Sequence, residues 1–285
     1  MRKNQTSVTA MGIAIARAVE SSKPAPARIC YDPYARQFVP AWMYHVLGFF
    51  IRSGYAELRG PGVNGFLAAR ERYIDDVLSG FIAAGIQQLV ILGAGFDSRA
   101  YRFDLSGRVK TFEVDHPATQ ADKLEKVRRI FGSVPAHVTY VAVDFNTQSL
   151  ADRLLSAGFD PARTSLFIWQ GVSMYLTPAA VDATLDFVVR NSAPGSAIVF
   201  DYLYREALEE AGRQREVGNM RRYRFMTGEG LTFGIPKGTG EAFLLARGFR
   251  AARDVNAADL KAAYFRGPNA WRAVVNGYGI LLGRV

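Results

Sequence analysis

The chain is poor in the residues that build disulfide frameworks and metal clusters. It has one cysteine, Cys30, and three histidines in 285 residues. A single cysteine excludes an internal disulfide and any cysteine-only metal site. Cys30 reads as a small buried hydrophobe rather than a nucleophile. No apolar run reaches membrane-spanning length: the stretch 42–51 is interrupted by His45 and Gly48. The basic start MRKNQTSVTA is not followed by an apolar signal core, and neither internal repeats nor low-complexity linkers are present. These absences point to a soluble cytoplasmic protein with no membrane association. Against them stand 49% hydrophobic and 21% charged residues, ordinary for a globular chain with a real core. With 35 Lys and Arg against 26 Asp and Glu, the formal charge is +9. That favours anionic partners. The basic clusters 126–129 and 221–224 are short, so a small acidic substrate fits as well as nucleic acid, and we expect a small acidic substrate and no nucleic-acid partner.

Helices are expected over 5–20, 41–58 and a long stretch after Pro61, whose apolar residues Leu67, Ile74, Val77, Leu78, Phe81 and Ile82 recur at helical spacing. Strands and helices then alternate. Strands are expected at 88–92, 109–115, 137–143, 165–169 and 197–202, with a helix starting at Thr177-Pro178. The strands are almost wholly apolar, as a parallel sheet covered on both faces requires. The fold class is α/β, a doubly wound, mostly parallel sheet. Residues 1–60 read as a helical cap, 61–202 as the ligand-binding core and 203–234 as an inserted, arginine-rich lid. Residues 235–285 complete the sheet, with strands at 249–255 and 271–282 as an antiparallel pair. One domain accounts for the whole chain, as a monomer or homodimer.

Ligands of such sheets sit at the carboxyl ends of the strands. Here these ends carry Gly93-Ala94-Gly95, Asp115, Asp144-Phe145 and Gln170. Glycines let the backbone approach a ligand, and an acid about twenty residues on suits a ribose diol. Both a dinucleotide and S-adenosylmethionine carry that ribose. The third glycine of a dinucleotide fingerprint would fall at 98, where the chain has Ser98. A carboxylate at Asp97 would repel a pyrophosphate at the helix start and suits a cationic ligand instead. Asp144 could bind an adenine amine or simply cap a turn. Arg70 falls on the apolar stripe of the long helix, either snorkelling or forking onto a carboxylate.

The segments RERYIDDVL, VILGAGFDSRAYRF, FEVDHP and WQGVSMYLTPAAV occur in that order. Together they resemble the leucine carboxyl methyltransferase family, most closely its bacterial S-adenosylmethionine-dependent branch. The resemblance runs from the pattern at 9–20 and the DPYA turn at 32–35 to the C-terminal strand. It implies a class I methyltransferase (Rossmann-like) fold, with S-adenosylmethionine as cofactor, S-adenosylhomocysteine as product and no metal. In this sequence Arg70 would hold the cofactor carboxylate, Gly93 and Gly95 would line its methionine part, Asp115 would bind the ribose, and Asp144 and Phe145 would hold the adenine. His116, beside the ribose acid, would also contact cofactor. The family usually has Glu where this chain has Gln170, which keeps an acceptor, adds a donor and removes a charge. Tyr175, Tyr202 and Arg221 are candidates for the acceptor pocket. The resemblance favours a carboxyl acceptor on a small acidic metabolite of secondary metabolism. None of His45, His116 and His137 has an evident orienting partner, which agrees: a carboxylate is already ionised at neutral pH and needs no base, whereas a phenol benefits from one. The alternatives are a hydroxyl acceptor with the same cofactor, a dinucleotide oxidoreductase, or a nucleotide-binding module without catalysis.

Overall fold

The computed structural model describes residues 8–144, 148–215 and 230–285. Four helices come first: α1 (Val8–Ser21), α2 (Ala41–Arg52), α3 (Tyr55–Arg59) and α4 (Val63–Ala83). The alternating part follows as β1 (Gln88–Leu92), α5 (Arg99–Arg102), β2 (Lys110–Asp115), α6 (Pro117–Phe131), β3 (Val138–Ala142), α7 (Leu150–Ser156), β4 (Ser165–Trp169), α8 (Pro178–Arg190), β5 (Ala197–Leu203) and α9 (Arg205–Arg215). Helices Gly240–Leu245 and Ala257–Tyr264 flank β6 (Ala251–Val255), and β7 (Tyr278–Arg284) ends the sheet.

The seven strands lie in the order β3-β2-β1-β4-β5-β7-β6. β1 to β5 pair in parallel, and β7 runs antiparallel between β5 and β6. The order turns back between β1 and β4, which is where a doubly wound sheet opens its ligand crevice. Strand parity sorts the core. Val90, Leu92, Phe112, Phe167, Trp169, Ile198 and Phe200 pack on one face with Leu154, Val181 and Leu185 of the covering helices. Leu89, Ile91, Leu166, Ile168 and Val199 pack on the other with Ile74, Leu78 and Phe81 of α4. Burial on both faces explains why these strands are nearly continuous apolar runs. α8 starts as expected, with Thr177 Oγ1 accepting the Ala180 N–H at 3.2 Å and Pro178 in the first turn.

Three expectations are revised. The cap helix at 41–58 is two helices, parted at Ser53-Gly54. The terminal strand starts at Tyr278, not at 271. The preceding loop is held instead by α4, with the Val275 N–H donating to Gly62 O at 3.0 Å. Of the expected lid at 203–234, Leu203 belongs to β5 and 205–215 to α9. Residues 216–229 lie outside the described residues. The chain returns where the Thr232 N–H donates to Met174 O at 2.8 Å and Ile235 bridges to Tyr204.

The 271–275 loop lies so close to α4 that a Cβ on Gly65 would stand 1.9 Å from Ala273 O. Backbone cannot yield as a flexible side chain can. Gly65→Ala is therefore expected to cost at least the roughly 1–3 kcal/mol of overpacking, read as a lower urea midpoint; an unchanged midpoint would show that the loop moves freely.

Candidate active site

The glycine turn is set by backbone geometry. Gly93 and Gly95 hold φ of +65° and +46°, values that an L side chain seldom adopts. A Cβ on Gly93 would also stand 2.3 Å from Val172. The turn is closed by the Ala94 N–H donating to Val114 O at 3.0 Å and the Asp97 N–H to Ala94 O at 2.7 Å. Asp115, at the end of β2, accepts the Gly95 N–H at 2.5 Å and the His116 N–H at 2.6 Å. Burial raises its carboxyl above the ordinary range, while these two N–H groups pull it back.

These residues line a cavity of about 340 Å³ at the carboxyl ends of β1 to β4. Gly93, Ala94, Gly95 and Asp97 form one wall, Asp115, His116 and Asp144 a second, and Gln170 with Tyr175 a third. The structure thus brings together nearly all of the residues expected to bind the cofactor. Phe145 and Arg221 lie outside the described residues. Tyr202 must be corrected. It faces away from the cavity, into the core, where its hydroxyl donates to Asp254 Oδ2 at 2.7 Å. The reason is strand parity: Asp201 takes the α4 side of β5, so Tyr202 takes the opposite face.

Asp201 itself went unread in the sequence. One of its oxygens accepts from Arg70 Nη1 at 2.5 Å and the other from the Gly171 N–H at 2.6 Å. Arg70 is buried behind Gly171 rather than in the cavity wall; a Cβ on Gly171 would stand 3.6 Å from its Nη1. Among the described residues, its Nε and Nη2 are buried without a hydrogen-bond partner. The cavity wall also gains Thr9, Ala10, Ile13 and Arg17 from α1, and Thr119 from α6. The Thr119 hydroxyl is buried and likewise has no hydrogen-bond partner among the described residues. Arg17 sits four residues after Ile13 on a mostly buried helix, the same signal that singled out Arg70. Its Nε lies 2.6 Å from Asp32, and Nη2 donates to Phe96 O.

Beneath the glycine turn lies a buried ionic cluster. Arg99, fully buried, donates from Nη1 to Asp97 and to Gln170 Oε1 at 2.9 Å, and from Nε to Asp75 at 2.8 Å. Its Nη2 lies 3.0 Å from Glu71. Arg102 forks onto Glu71 at 2.9 Å and Asp75 at 2.7 Å. Although burial opposes ionisation, these guanidiniums hold Glu71 and Asp97 below the usual carboxylate range. Burial wins at Asp75, which is raised. Gln170 completes the cluster by donating from Nε2 to Glu71 Oε2 at 2.9 Å. An ionised glutamate at 170 could not make that donation, which here supplements those of Arg99 and Arg102 to Glu71. Asp97 is accordingly neutralised from within the protein.

Behind Asp115, burial pushes the Glu113 carboxyl from its ordinary 4.5 up to about 7. The Lys123 ammonium, 2.8 Å away, and the Tyr101 hydroxyl, at 3.1 Å, pull it back. Between pH 4.5 and 7 the folded chain therefore holds a proton that the unfolded chain has released, and this group's contribution to stability falls as pH rises through that window. Glu113→Gln should flatten that part of the pH profile. Urea unfolding at pH 5 and pH 8 would show it as a smaller difference between the two pH values; an unchanged difference would argue against the raised carboxyl.

The family model for leucine carboxyl methyltransferase matches residues 10–189. A candidate S-adenosyl-L-methionine-dependent methyltransferase from Rhodococcus jostii is 35% identical over 195 residues, covering 68% of this chain and 65% of that protein. The matched part thus spans slightly less than two thirds of that relative's length. One of the same description from Bacillus subtilis is 30% identical over 250 residues, covering 80% of this chain and 81% of its own. Among solved structures, a candidate methyltransferase from Thermobifida fusca superposes with a TM-score of 0.58 at 15% identity, over 99% of this chain and 96% of that one. That likeness concerns the fold, a class I methyltransferase sheet. On the family match and the identity to these relatives, the chain belongs to the leucine carboxyl methyltransferase family.

Proposed function

We propose that this protein is an S-adenosylmethionine-dependent O-methyltransferase and that its acceptor is a carboxylate. The observation that carries the cofactor reading is the strand-end cavity in which the positive-φ glycine turn and Asp115 are locked together by the Gly95 N–H. The residues suit that cofactor. The turn leaves room for a ligand at the backbone and Asp115 offers acceptor positions to a ribose diol; Arg70, outside the cavity wall, supports the site from behind by holding Asp201, which accepts the Gly171 N–H. Asp144 and His116 line the same cavity as Asp115, which supports an adenine site beside the ribose. When bound, the cofactor supplies a sulfonium-activated methyl group.

The chain's own contribution is to position and dehydrate. An acceptor oxygen would take that methyl group with Gly93, Gly95 and Asp115 holding the donor, and the products would be a methyl ester and S-adenosylhomocysteine. A carboxylate has no proton to lose in this step, and the titratable groups of the wall are already engaged. Asp97 is paired with Arg99, and His116 Nδ1 accepts the Ala118 N–H at 3.3 Å. Family membership supports the same choice.

Thermal unfolding with S-adenosylhomocysteine and with NAD separates the cofactor classes: stabilisation by the former is expected, and stabilisation by NAD alone would sink the reading. Methyl products released by mild base are esters. Base-stable products would replace the carboxyl acceptor by a hydroxyl.

A further inference from the structure

A second cavity, of about 640 Å³, adjoins the first, and Ile13 and Arg17 of α1 line both. Its volume is in the range of ligand-binding cavities. The walls come from α1, α2, α3 and α4 and from the loop after 270. Apolar side chains supply most of them: Ala16, Val19, Ile51, Leu67 and Ala68.

The acidic side chains of these walls are engaged with the protein itself. Glu20 is held by Arg272 at 2.8 and 2.9 Å and by Lys23 at 2.6 Å. Glu57 accepts the Gly62 N–H at 2.5 Å, and Glu71 belongs to the cluster around Arg99. Carboxylates engaged in this way offer little to a hydrophilic ligand, and although Arg52, Ser53 and Asn64 also line the walls, the apolar surface between the polar groups gains from being covered. The rim carries Leu58 and Trp271, 82% and 80% exposed. Exposed apolar surface around an apolar cavity marks a site for apolar matter.

We propose that the body of the methyl acceptor occupies this second cavity while its carboxylate reaches past Ile13 towards the first. The acceptor is then an organic acid with a long apolar body, of the fatty-acid type, rather than a compact hydrophilic acid. The inference rests on the methyltransferase reading above. It deepens that reading by assigning the substrate class from the cavity next door.

Isothermal titration of the full chain saturated with S-adenosylhomocysteine tests it, with dodecanoate and succinate as probes. Dodecanoate should bind at least 30-fold more tightly than succinate. Ala16→Phe, which fills the cavity from α1, should weaken dodecanoate at least tenfold and leave S-adenosylhomocysteine affinity within about twofold. Leu58→Glu lies at an exposed position that folding does not depend on, and should weaken dodecanoate several-fold. It decides the matter if Ala16→Phe fails to fold. Equal affinity for the two acids, or dodecanoate binding indifferent to every folded variant, overturns this inference while the cofactor reading stands. A chain that does not bind S-adenosylhomocysteine overturns both.

Discussion

Replacing Arg99 with methionine should destabilise the fold by about 3–5 kcal/mol at neutral pH, the range for breaking a buried ion pair from one side. Arg99 is fully buried and serves Glu71, Asp75, Asp97 and Gln170 at once. Without it, three buried carboxylates share only what Arg102 and Arg17 can offer. The deficit should shrink in acid. In the native protein Glu71 and Asp97 are held below their ordinary range. They therefore contribute stability above that range that is lost as pH falls through their depressed values. In Arg99→Met the same carboxyls would be raised by burial, so the variant loses stability as pH rises and regains it as pH falls. Urea unfolding at pH 5 and 7.5 measures both terms. A loss below about 1 kcal/mol, or one of equal size at both pH values, would show that the cluster is not an electrostatic unit. Arg99→Lys restores the charge but not the fork and should recover only part of the loss.

Asp115→Ala should weaken S-adenosylhomocysteine binding by about 100-fold or more. Two charge-assisted hydrogen bonds of about 1.5–3 kcal/mol each would be lost to the ribose, at 1.4 kcal/mol per tenfold. The Gly95 and His116 N–H groups would also lose their shared acceptor, loosening the turn. Asp115→Asn keeps one acceptor oxygen and should fall between the two. Calorimetric titration of all three forms decides the point: affinity retained in Asp115→Ala would move the ribose away from β2.

Residues fixed by strand ends and by local glycine geometry were legible in the sequence. The turn at Gly93 to Gly95, Asp115, Asp144 and Gln170 all follow from knowing where strands stop, and β1 and β4 have the expected bounds. Pairings between distant elements were not. RERYIDDVL and DSRAYR were each read as a motif, yet Glu71 and Asp75 of the first and Arg99 and Arg102 of the second are two halves of one cluster. Their spacing of four and three places each pair on one helix face, a signal that becomes specific only when the two helices are known to meet. Arg70 was singled out by its stripe, but its partner Asp201 lies 131 residues away on β5, beyond any local pattern. Tyr202 was placed in the acceptor pocket because its strand was identified without its facing, and a shift of one residue reverses the side.

The position of β7 in the sheet has a consequence for biosynthesis. β7 pairs with β5 on one side and β6 on the other, yet it follows both in the chain. Until the segment up to residue 284 is made, β7 cannot pair, and the backbone groups of 197–203 that it would bond would stay open along one edge of β5. Unpaired apolar edges of this kind recruit other nascent chains. A pause in translation between residues 203 and 284 should therefore reduce the yield of soluble chains more than a pause of equal length before β5.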